Sequence, residues 1–218
     1  MATTGHIPVL SREVVEALNL PCDGFLVDAT FGRGGHSRLC LDRLGPDGRI
    51  LAIDRDPAAV AYGRERFAGE SRITVVRGRF SDLAALIAEH FPELPVNGVL
   101  LDLGVSSPQL DSAARGFSFG ASGPLDMRMD PDDGPSAAEW LAEVDESELA
   151  WVIRTLGEER YARRIAAAIK SAAAAGTLET TADLARVVSA AAPTHERHKH
   201  PATRTFQAIR MHLNDELG

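Results

Sequence analysis

Long apolar runs are missing from this chain. Nowhere do eighteen apolar residues follow one another, so no stretch reads as a membrane span. The opening Met1-Ala2-Thr3-Thr4 has neither a basic patch nor an apolar block behind it, which argues against a secretory leader. Cysteine is scarce: Cys22 and Cys40 are the only two and form no CxxC pair, so neither a disulfide framework nor a thiolate zinc site is expected. Both read as reduced, buried thiols of a cytoplasmic protein. Internal repeats are absent too, which excludes solenoids and propellers. Basic residues are in the minority. The chain carries a net charge of −8, but unevenly: residues 1–150 hold 13 Lys and Arg against 24 acids, residues 151–218 hold 10 against 7. A polyanionic partner would therefore meet the C-terminal part.

What is present is an alternation of short apolar runs and amphipathic stretches. Ser11, as N-cap, opens a helix. Strands are predicted at 25–30, 49–54, 73–76 and 96–102, with helices at 36–44, 57–68 and 81–90 between them. Gly45-Pro46-Asp47-Gly48 stops the first of these helices, and Asp56-Pro57 starts the second with Asp56 as cap. Strands alternating with helices in this way imply a parallel sheet covered on both faces. From 103 to 135 the periodicity is lost, as in a long functional loop. Beyond Ser136 the pattern is helical: 146–156 behind a capping box at Asp145, 158–175, a helix capped by Thr180 and running to about Ala192, and a last one starting at Thr203 or Thr205 and still running at the end. Trp140, Trp151 and Tyr161 fall at apolar helical positions and read as core. A sheet ending on strand 96–102 would show a bare apolar edge, so the expectation is a fragment of a longer protein.

The chemistry concentrates at two turns. Leu26-Val27-Asp28-Ala29-Thr30-Phe31-Gly32-Arg33-Gly34-Gly35-His36-Ser37 is a strand breaking into a glycine turn that opens a helix, and Asp54 ends the next strand 22 residues after Gly32. Such a turn lets backbone approach a ligand, and such an acid can take both hydroxyls of a ribose. A dinucleotide fingerprint needs glycine where Ser37 stands, which disfavours a nicotinamide-dependent oxidoreductase and favours a nucleoside cofactor without pyrophosphate, such as S-adenosylmethionine. Gly34, Gly35 and His36 would then lie at its amino-acid end. Phe80, after the third strand, either covers an adenine face or packs in the core. The second turn, Leu101-Asp102-Leu103-Gly104-Val105-Ser106-Ser107-Pro108-Gln109-Leu110-Asp111, places a carboxylate at a strand end where ligands of α/β sheets bind. Asp102 could accept hydrogens from an amine undergoing methylation or grip the cofactor's methionine end, and Gln109 suits either task.

These stretches, with Arg115-Gly116-Phe117-Ser118-Phe119, Gly123-Pro124-Leu125-Asp126-Met127-Arg128-Met129-Asp130 and His200-Pro201-Ala202-Thr203-Arg204-Thr205-Phe206-Gln207-Ala208, occur in one order. Together they resemble the bacterial 16S ribosomal RNA cytosine-N4 methyltransferases that modify a P-site cytidine, with the C-terminal strands of that family missing. The resemblance implies an α/β fold: a class I methyltransferase, Rossmann-like parallel sheet with an inserted all-helical domain. It divides the chain into 1–110 (cofactor domain), 111–205 (helical substrate-recognition domain) and 206–218 (start of the return to the first). It implies S-adenosylmethionine as cofactor, contacted by Gly34, Gly35, His36, Asp54, Phe80, Asp102 and Gln109, and 16S rRNA in the small ribosomal subunit as partner. It leaves homodimerisation open. On the RNA side, Arg197, Lys199 and Arg204 could neutralise phosphates, while Phe117 or Phe119 could stack on a flipped cytosine or simply anchor the loop. No metal is expected, because the histidines near 195–200 have no acid or cysteine cluster to complete a ligand set. A non-catalytic RNA-binding fragment is the main rival reading.

Overall fold

The computed structural model describes residues 9–193 and 200–217, and it divides into two compact units, 1–104 and 105–218. The first is a four-stranded parallel sheet of β1 (Phe25–Asp28), β2 (Arg49–Asp54), β3 (Ile73–Arg77) and β4 (Gly98–Leu100), in the order β3-β2-β1-β4. The chain steps outward from β1 through β2 to β3, then returns to the other side of β1. The order therefore reverses between β1 and β4, and crevices at such reversals are where open α/β sheets take ligands.

Both faces of the sheet are covered, which explains why the strands are apolar throughout rather than alternating. On one face Leu26, Ile50, Ala52, Ile73 and Val75 pack with Phe31, Cys40, Leu41, Val60 and Phe67. These come largely from α2 (Gly35–Leu41) and α3 (Pro57–Arg66), with α1 (Ser11–Leu18) lying beside α2. On the other face Phe25, Val27, Leu51, Ile53 and Val76 meet Phe80, Leu83, Leu86 and Ile87, chiefly from α4 (Leu83–His90). Asp56 caps α3, its carboxylate accepting the Ala58 N–H at 2.9 Å, with Pro57 at the first helical position. Strand β4 is shorter than the predicted 96–102, and Val99, Leu101 and Leu103 are exposed.

The second unit is helical: α5 (Ser107–Asp111), α6 (Ala137–Glu143), α7 (Glu146–Gly157), α8 (Ala162–Ala174), α9 (Thr181–Ala191) and α10 (Thr203–Leu213). Its core gathers Leu141, Leu149, Ile153, Ile165, Ile169, Leu184, Val188, Phe206 and Ile209. Helix α7 lies against both α8 and α10. Gly157 permits the second approach, since a Cβ there would stand 2.5 Å from the Arg204 carbonyl. The aperiodic stretch after 104 contains α5 and a 3₁₀ turn at Ala113–Arg115. It is pinned by Asn214, whose Nδ2 donates to the Met127 carbonyl at 2.8 Å while its Oδ1 accepts the Met129 N–H at 2.7 Å. Arg115 adds donations to the carbonyls of Arg128 and Met129.

Several expectations are corrected. Leu10, left-handed at φ 51°, precedes α1, so Ser11 is its first residue rather than its cap. Asp145 flanks α7 but makes no capping bond. Glu158 turns left-handed at φ 52°, which ends α7 and delays α8 to Ala162. Helix α10 stops at Leu213, because the Asn214 side chain is drawn back to the Met127–Met129 segment. Cys22 is exposed, unlike Cys40. Trp151 is 60% exposed, because Leu149, Val152 and Ile153 take the inward stripe of α7 and leave position 151 on the opposite side. Trp140 and Tyr161 pack partly against the helical core.

Candidate functional site

The ends of β1, β2 and β4 bring most of the singled-out residues of the first unit to one edge of the sheet. The turn after β1 is shaped by two left-handed glycines, Gly32 at φ 56° and Gly34 at φ 67°. They serve different purposes. A Cβ on Gly34 would stand 2.5 and 2.7 Å from the Phe31 ring and 2.9 Å from that of Phe67, so this glycine makes room for core packing. A Cβ on Gly32 would meet nothing closer than the Thr30 carbonyl at 4.0 Å. Gly63 on α3 completes the slot for Phe31: a Cβ there would again lie 2.5 Å from that ring. The Gly34 N–H donates to the Phe31 carbonyl at 2.8 Å, which closes the turn and lets Gly35 and His36 start α2.

Asp54, the last residue of β2, is locked to this turn. Its Oδ2 accepts the Gly32 N–H at 2.7 Å and its Oδ1 the Asp56 N–H at 2.9 Å. Burial pushes its pKa up, and these backbone donors pull the other way. The Arg55 N–H adds a third backbone donor to the same carboxylate.

His36 is buried at 8% exposure, its Nε2 3.7 Å from Asp102 Oδ2 and its Nδ1 without a hydrogen-bond partner. That distance is too long for a hydrogen bond. A buried imidazole nitrogen left unpaired is costly, so a polar partner at Nδ1 would be favourable there. Asp102 follows β4 with its side chain 56% exposed, and its N–H donates to Thr30 Oγ1 at 2.7 Å. Phe80 opens the 3₁₀ turn after β3, half-buried against the cluster that holds Val27 and Ile53.

Two residues here escaped the sequence reading. Asp28, at 1% exposure, ends β1 and accepts the Ser37 hydroxyl at 2.6 Å, with the Thr30 N–H at 3.4 Å. Desolvation raises its pKa to about 6, aided by Asp54 and Asp102 and opposed by the Ser37 and Thr30 donors. The signal lay in the opening motif: an acid at a strand end and a serine nine residues later on the first turn of the next helix.

The second unit is described by itself. Gln109 is buried in α5, where its Oε1 accepts the Ser106 N–H at 2.9 Å in a capping box. Phe117 is buried, with the Arg115 guanidinium 5.6 Å from its ring centre. Phe119 is half-buried between the rings of His200 at 4.5 Å and Phe206 at 4.8 Å. Arg204 donates to the Glu158 carbonyl at 2.6 Å. Arg163 and Arg164 are exposed on α8. Arg197 and Lys199 lie outside the described residues. Among the described residues no helix is long and apolar enough to cross a membrane.

A crystal structure provisionally named as an rRNA-methylase from Clostridium thermocellum aligns at 19% identity with a TM-score of 0.39, over 46% of this chain and 54% of that one. The profile of the MraW methylase family matches residues 3–218, nearly the whole length. The chain therefore belongs to the MraW methylase family of methyltransferases.

Proposed function

We propose that the protein transfers a methyl group from S-adenosylmethionine to the exocyclic N4 of a P-site cytidine in 16S rRNA, in the small ribosomal subunit, by direct displacement. The observation that carries the cofactor assignment is the pairing of Asp54 with the Gly32 amide, because it fixes a carboxylate at the strand end where such an acid takes ribose hydroxyls. The orphaned His36 Nδ1 and the open space at Gly32 also fit a polar ligand lying along the turn.

In this reading Gly34, Gly35 and His36 hold the amino-acid end of the cofactor, Asp54 the ribose and Phe80 the adenine face. When bound, S-adenosylmethionine supplies an electrophilic methyl on a positively charged sulfur. The chain's own work is then to orient and to accept protons' hydrogen bonds rather than to activate strongly. The exposed Asp102 carboxylate accepts hydrogens of the attacking amine and aligns its lone pair, while Gln109 contributes at the same cofactor. On this reading the sheet unit holds the cofactor and the helical unit meets RNA. Arg197, Lys199 and Arg204 meet phosphates there, and Phe119 is the better placed of the two loop aromatics to stack on a base because Phe117 is buried.

The test is incubation with small subunits lacking the modification and methyl-labelled cofactor, followed by nucleoside analysis. Label in N4-methylcytidine supports the reading. Subunit binding with no incorporation would favour a non-catalytic RNA-binding role instead.

A further inference from the structure

The residue at this site that the family resemblance does not single out is Asp28, and its contacts are unusually central. It lies at the end of β1 between the two elements that carry His36 and Asp102. On one side the Ser37 hydroxyl donates to its Oδ2 at 2.6 Å, and Ser37 follows His36 directly on α2. On the other, the Thr30 N–H points to its Oδ1 at 3.4 Å, and the Thr30 hydroxyl accepts the Asp102 N–H at 2.7 Å. One fully buried carboxylate thus links the first turn of α2 to the end of β4. Its two arms converge on the pair His36 and Asp102, 3.7 Å apart.

We propose that Asp28 is a positioning residue of the cofactor site, holding His36 through Ser37 and Asp102 through Thr30, and that it does so in its ionised form. The inference rests on the cofactor reading above. The ionised form is needed because both neighbours present donors: a carboxylate accepts from each, whereas a protonated acid must turn a hydroxyl towards one of them.

The titratable groups that act on or feel Asp28 are Cys40 from α2, Asp54 from the end of β2 and Asp102 just after β4. Burial above all, with the negative charges of Asp54 and Asp102 adding to it, favours retention of a proton on Asp28 in the free protein. A ligand bearing a sulfonium and an ammonium reverses that balance. Binding then drives a proton from the Asp28 carboxyl into solvent. If only the ionised form binds, affinity rises about tenfold between pH 5 and pH 7 for a group titrating near 6. Asp54, whose carboxyl burial also pushes up, shares that sign, so variants must isolate the Asp28 part.

The experiment is calorimetric titration of S-adenosylmethionine into the full chain from pH 5 to pH 8, in buffers of different ionisation enthalpy, with D28N, S37A and D54A beside the wild type. D28N removes the titrating group while keeping its shape, so it should flatten the profile and lose the proton released near pH 6. S37A removes a donor that favours ionisation, so its profile should keep the slope but move its midpoint to higher pH. A role confined to fold stability would lower the melting temperature without moving either feature. Profiles and proton release in D28N and S37A that match the wild type, with binding lost in D54A, overturn the Asp28 proposal and leave the cofactor reading standing. Unchanged binding in D54A overturns the cofactor reading itself.

Discussion

Replacing Gly34 with alanine should damage the sheet unit far more than replacing Gly32, although both glycines belong to one turn and both are left-handed. The backbone contribution is shared: an L-residue held near φ +60° costs roughly 1–2 kcal/mol. The packing contribution is not. At Gly34 the new methyl would sit 2.5 Å from Phe31 Cε2 and 2.9 Å from Phe67 Cε2, two buried rings in an edge-on arrangement with centroids 6.1 Å apart. Phe31 cannot retreat, because its other edge faces Gly63 closely enough that a Cβ there would also lie 2.5 Å away. Forcing a methyl into a packed core costs a further roughly 1–3 kcal/mol. At Gly32 nothing stands closer than 4.0 Å, so no such addition applies. The gap between the variants should therefore be about 2 kcal/mol, read as a lower midpoint in urea followed by circular dichroism. A Phe31→Leu change made on the Gly34→Ala background should recover part of the loss, giving a coupling energy between the sites. Equal midpoints for the two alanine variants would refute the packing role assigned to Gly34.

Other consequences follow from particular contacts. Asn214→Ala strands the buried Met129 N–H and Met127 carbonyl and should cost about 2–4 kcal/mol, measured by denaturant unfolding; a loss below 1 kcal/mol would mean the clamp is dispensable. Asp28 has a folded pKa near 6 against an ordinary value near 4, so its contribution to stability is full below pH 4 and is lost as pH rises to about 6. Across that window the stability of the wild type relative to D28N should fall by roughly 2 kcal/mol, and a difference that does not vary with pH would contradict the shift. Trp151→Ala should leave stability within about 0.5 kcal/mol, since the indole stands in solvent opposite the α7 stripe; a larger loss would mean it is covered.

The sheet was legible because each strand is a short apolar run between turn residues, and parallel strands buried on both faces need no alternation to be recognised. The place of Asp54 at a strand end and of Asp102 just past one follows from the same pattern, whereas the strand order emerges only from the structure. The two roles of the glycines were not legible. Spacing alone cannot distinguish a glycine that admits a ligand from one that admits a phenylalanine, and Phe31 decides this only when α3 delivers Gly63 to its other edge. Trp151 was misplaced for a related reason: an aromatic in an amphipathic window is assigned by type, yet its phase relative to Leu149 and Ile153 sets its exposure. The end of α10 depends on Asn214 reaching Met127, 87 positions away, which no local window contains. Asp28 was passed over because the acid one strand further on matched a known ribose pattern, while its own partner, Ser37, counted only as the serine that replaces a dinucleotide glycine.

The account stands on the sheet edge being a nucleoside cofactor site organised by Asp54. The most direct measurement is calorimetric binding of S-adenosylmethionine at pH 7.5 to the wild-type chain and to D54A, with circular dichroism showing that the variant keeps its helices and sheet. Loss of the acceptor for two ribose hydroxyls should weaken binding at least about tenfold, since hydrogen bonds to a charged group contribute roughly 1.5–3 kcal/mol each. A folded D54A variant that binds as tightly as the wild type, or a wild type that prefers NADH, would contradict it.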